Sequence, residues 1–78
     1  MWSGRIYDRS NNGIWYRKVN NIRGYSVESV YNLERGYYYF CAAYGDKSYC
    51  SLTDNIHFTR EKECMAACER YCEENAYE

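Results

Sequence analysis

Five cysteines in a chain of 78 residues set the terms on which this protein can fold. So short a chain buries only about 60% of the surface its unfolded form exposes, and a hydrophobic core alone leaves it marginal. Cross-links are the usual remedy. Cytosolic proteins rarely keep disulfides, so the density of cysteine points to an exported protein in an oxidising compartment. The count is odd, which leaves at least one thiol without a partner inside the chain. That thiol joins a second chain in a disulfide-linked dimer, is capped, or stays free. One domain is all the length permits.

Charge narrows the partners. Ten basic side chains face 11 acidic ones, for a net charge of −1. That balance argues against a nucleic-acid binder, whose affinity comes from neutralising phosphates. No run of residues approaches the ~18 apolar positions of a membrane span. The opening Met1-Trp2-Ser3-Gly4-Arg5 does not read as a signal peptide, so a mature, secreted, extracellular form is expected. The charge is unevenly divided: residues 1–40 hold six basic and three acidic side chains, residues 41–78 four basic and eight acidic. A solvated surface is the plain account of this split. A cationic segment meeting an anionic partner is the sharper one.

Along the chain, residues 1–12 are polar, run into the turn-forming Ser10-Asn11-Asn12-Gly13, and read as a loosely held arm. Ile14, Trp15, Tyr16 and Val19 are candidates to dock on the body, and residues 20–24 read as an exposed loop. From Tyr25 the pattern turns β: Tyr25, Val27 and Tyr31 alternate with polar residues, broken at Ser29 and Val30. A turn at residues 32–36 leads to the aromatic run Tyr37 to Tyr44, a second strand. The two make a twisted antiparallel hairpin, ended by residues 45–48. The last element is a helix from about Arg60 to Tyr71, with Thr59 as its expected N-cap and Glu61 and Glu63 in its first turn. Cys64, Cys68 and Cys72 recur every fourth residue and share one helical face. Residues 73–78 read as an acidic tail.

Hairpin followed by helix carries local text in a familiar order. Arg23-Gly24-Tyr25, with Tyr31-Asn32 eight residues after the arginine, then Gly36, Tyr44-Gly45, and Phe58-x5-Cys64-x3-Cys68 together resemble the Kunitz, or pancreatic-trypsin-inhibitor-like, family. The irregular cysteines resemble its divergent branch from tick saliva. The resemblance implies a small α+β, disulfide-stabilised Kunitz-like domain over residues 13–72. It implies a Cys41–Cys64 bridge from hairpin to helix, with Cys41 on the face the helix covers, and Cys50 joined to Cys68 or Cys72. Departures fall around the reactive loop. Ile22 stands where the family has the cysteine that clamps this loop, and the chain contains no proline.

Two functions follow from the resemblance. A Kunitz-like scaffold without its antiprotease clamp resembles secreted modulators of host ion channels, potassium channels among them, the large-conductance type included. The target-binding loop is then Arg17, Lys18, Ile22, Arg23, Gly24 and Tyr25, with a cation and an aromatic as anchors. The alternative is a trypsin-like serine protease inhibitor with Arg23 in the specificity pocket. Its loop lacks the bracing that keeps the ordering cost of such binding low.

Catalysis has no foothold: there is one histidine, no phosphate-cradling glycine loop and no nucleophile–base arrangement, so no enzyme and no cofactor are expected. A zinc site from Cys64, Cys68, Cys72 and His57 is disfavoured. One helix face struggles to present three ligands around one ion, and structural zinc draws on separate knuckles; no metal is expected.

Overall fold

A computed structural model describes residues 1–11 and 13–76. Five strands, β1 (Ile6–Ser10), β2 (Gly13–Ile22), β3 (Tyr25–Asn32), β4 (Tyr37–Tyr44) and β5 (Lys47–Cys50), form one antiparallel sheet in the order β1-β2-β3-β4-β5. A 3-10 turn (Ser51–Asp54) leads to the helix α1 (Glu61–Glu74). The molecule is therefore α+β, with the expected hairpin (β3 and β4) at the centre of a larger sheet.

Turn chemistry explains the meander. At the β2–β3 turn Arg23 (φ 50°) and Gly24 (φ 87°) both lie in the left-handed region, the two-residue turn whose twist matches its flanking strands. At the β4–β5 turn Gly45 takes φ 60°, which suits glycine at the first central position. Between β3 and β4, Asn32 Oδ1 accepts the N–H groups of Glu34 (2.9 Å) and Arg35 (3.0 Å), closing the loop from within.

The helix packs across β3 and β4. Alternation along the strands turns Tyr25, Val27 and Ser29, and on β4 Phe40 and Ala42, towards it. Cys64, Cys68 and Cys72 meet them with no exposed surface at all, so the every-fourth-residue stripe is the inner face of α1 as expected. Small side chains on that stripe let the helix axis come close to a sheet crowded with rings. Tyr71 closes one end, stacked on Tyr49 at 4.4 Å and beside Tyr25 and Phe40. The Tyr25 hydroxyl donates to the Asn75 carbonyl at 2.7 Å, fastening the central hairpin to the end of the helix.

Several expectations are corrected. Residues 6–10 are no loose arm: they pair with β2 from Ile6↔Arg17 to Ser10↔Gly13. Ser3 extends the edge, its N–H donating to the Val19 carbonyl at 2.8 Å, and Trp2 donates from its indole to Glu69 at 3.3 Å. Residues 20–22 are strand, not loop, leaving only Arg23 and Gly24 as a turn. Residues 47–50 continue the sheet as β5 instead of ending the hairpin. Arg60, not Thr59, is the N-cap, without a side-chain capping bond. The helix runs on through Glu74 because Cys72 extends its buried stripe, so the acidic tail begins as helix. Tyr77 and Glu78 of that tail, and Asn12 of the arm, lie outside the described residues.

The cysteine expectations change most. None of the five is joined to another. Cys41 is the register partner of Glu28 on one side and Cys50 on the other, between the inward Phe40 and Ala42, so strand alternation turns it to the sheet face away from α1. A Cys41–Cys64 bridge would have to pass through the sheet. Cys50 shares the outward face and is likewise turned from Cys68 and Cys72.

Candidate functional site

The six residues expected to form one binding loop are dispersed by strand geometry. Arg17 and Lys18 are neighbours in β2 and therefore point to opposite faces. On the face away from the helix, Arg17 donates from Nε to Asp8 at 2.7 Å and reaches Glu28 at 3.4 Å. Its guanidinium pKa is raised, chiefly by the hydrogen bond to Asp8. On the helix face, the Lys18 ammonium pairs with Glu61 at 2.9 Å, which also attracts Arg5. Ile22 packs at the margin of the core, and Tyr25 is 4% exposed. Neither Arg17 nor Lys18 is a spare cation.

Arg23 and Gly24 alone stay at the surface, at the tip of the β2–β3 turn. The turn is stiff. A Cβ on Gly24 would stand 2.6 Å from Cε2 of Tyr44, so the backbone presses on that ring. Tyr44 in turn meets the buried Tyr25 edge-on, with centroids 5.2 Å apart. Arg23 forms no ion pair among the described residues. The site is thus one solvated guanidinium on a short turn held by two packed tyrosines.

A second feature had no signal in the sequence. No second α-helix is among the described residues to cover the other sheet face, which carries an open groove of about 620 Å³ lined by Val19, Ser26, Glu28, Cys41, Ala43 and Ser48. Beside it sit the Asp8–Arg17–Glu28 cluster and Tyr39, whose hydroxyl burial pushes up to about 12. The ion pairs are each about one-third exposed, where such pairs contribute at most ~1 kcal/mol. Strand parity could have assembled this face from the text only if the register of all five strands were known.

Candidate metal ligands do not converge. Cys64, Cys68 and Cys72 lie beneath the sheet, whereas the His57 ring meets that of Tyr37, a residue of the opposite face, at a tilt with centroids 4.6 Å apart. Among the described residues no group of three His, Cys, Asp or Glu is arranged to hold a metal ion. No described helix is long and apolar enough to cross a membrane. No family model, curated protein or solved structure matches this chain.

Proposed function

We propose that this chain is a secreted, non-enzymatic binding protein that offers Arg23 to an anionic recess on a target protein. The observation that carries this reading is the exposed, unpaired guanidinium on a turn already held rigid by Gly24, Tyr44 and Tyr25. A cation presented on a pre-ordered turn binds with little further loss of backbone freedom. The target class comes from the Kunitz resemblance alone: an ion-channel mouth, with potassium channels first, either occluded or shifted between open and closed states. Arg17, Lys18 and Tyr25 are withdrawn from the contact set because their side chains are already engaged.

The exposed Arg23–Gly24 bond keeps the serine-protease reading as the second one. Against it, the bond sits in a left-handed two-residue turn, whereas a resistant inhibitor holds an extended, braced segment in the protease cleft. Two assays decide. Electrophysiology on a panel of potassium channels should show a response to the native protein. Arg23→Ala should weaken that response about tenfold or more, as expected for loss of a central anchor. Silence across the panel removes the channel target. Equimolar incubation with trypsin should leave the protease active, and tight inhibition with residues 23 and 24 still joined would reverse the order of the two readings.

A further inference from the structure

Two of the five cysteines stand apart from the rest. Cys64, Cys68 and Cys72 are sealed between helix and sheet, but Cys41 and Cys50 are partly exposed on the face that α1 leaves open. They are direct register partners across β4 and β5. The pairing type follows from the turn. In a hairpin closed by two residues the flanking pair, here Tyr44↔Lys47, exchanges both backbone hydrogen bonds, and the pairs then alternate. Cys41↔Cys50 is three pairs further on and so belongs to the non-hydrogen-bonded kind, with Cα atoms ~4.5 Å apart and side chains drawn together. That separation lies at the short end of the ~4.4–6.8 Å range that disulfides accept.

We propose that Cys41 and Cys50 form a reversible cross-strand dithiol–disulfide pair on the open sheet face, which exchanges with small disulfides such as oxidised glutathione. In the first step the Cys50 thiol gives its proton to solvent, and its sulfur attacks glutathione disulfide, forming a mixed disulfide and releasing one glutathione thiolate. In the second step Cys41 loses its proton, attacks the Cys50 sulfur, and expels the second glutathione thiolate. The two released thiolates take up the two protons. The net reaction oxidises two protein thiols to one disulfide and reduces one glutathione disulfide to two glutathiones.

The order of attack follows from the surroundings. Burial and then the neighbouring Cys50 thiol push the Cys41 thiol pKa up, and Glu28 opposite it adds to that effect. Cys50 lies on the edge strand, with one flank free of a neighbouring strand among the described residues. Oxidation would pin this short edge strand to β4 beside the groove that Cys41 lines. This inference is independent of the reading of Arg23.

The test is equilibration of the native protein in buffers of reduced and oxidised glutathione, followed by intact mass and non-reducing peptide maps. The expected oxidised product has lost two hydrogens and two of its five alkylatable thiols, with Cys41 joined to Cys50, and reduced glutathione restores it. Cys41→Ser should halt after the first step and retain one glutathione on Cys50. Cys50→Ser should take up far less. Should a variant fail to fold, the map of the native protein decides. A native protein that keeps all five thiols in oxidised glutathione, or that links either residue to Cys64, Cys68 or Cys72, overturns the proposal.

Discussion

Gly24 combines two constraints in one residue. Its φ of 87° is one that L side chains resist, and the space beyond its Cα is filled by the Tyr44 ring. Gly24→Ala should therefore cost about 1–3 kcal/mol, read as a lower urea midpoint at unchanged slope. A variant as stable as the parent would show that the turn is looser than its packing implies. Arg23 also takes a positive φ, at 50°, but as an exposed residue it has no comparable crowding. Arg23→Ala should then fold with near-native stability, so that lost binding reports on the guanidinium. Sequence places Arg23-Gly24 at the end of an exposed loop. It does not show that Tyr44, twenty positions later, is the residue the glycine makes room for.

At the scale of elements, the central hairpin and the helix are legible because each carries its own periodicity. Tyr25, Val27 and the aromatic run at 37–44 read as strands, and the cysteine stripe reads as one face of a helix. That stripe is also fully buried against the sheet, so volume matters there more than polarity. Cys68→Leu should cost about 1–3 kcal/mol by overpacking, measured by denaturant unfolding. Edge strands are less legible. Ile6–Ser10 and Lys47–Cys50 are short and mostly polar, and their strand character comes from pairing with β2 and β4 rather than from their own alternation. The face of Cys41 escaped the reading for a related reason. Tyr37 to Tyr44 is apolar at nearly every position, so the pattern does not say which parity points inward, and a one-residue slip exchanges the two faces.

For the whole molecule, the buried thiols tie stability to alkaline pH. Burial pushes the Cys64 thiol up to about 11 from an ordinary 9.0, and raises Cys68 and Cys72 in the same direction. The unfolded chain loses these protons first as pH rises. Their stabilising contribution is thus complete below about pH 9 and declines as pH climbs towards about 11. The urea midpoint should fall over that interval, and less steeply for Cys64→Ala. A native profile that stays level there would mean that the stripe is open to solvent. Strand alternation, turn residues and the four-residue repeat of cysteine act through neighbours in the chain, and they suffice to locate the hairpin and α1. The two outer strands, the open face with its Asp8–Arg17–Glu28 cluster, and the meeting of Cys41 with Cys50 depend on register between distant segments. Register is settled by burial of one sheet face under the helix, a long-range packing choice that local patterning leaves open.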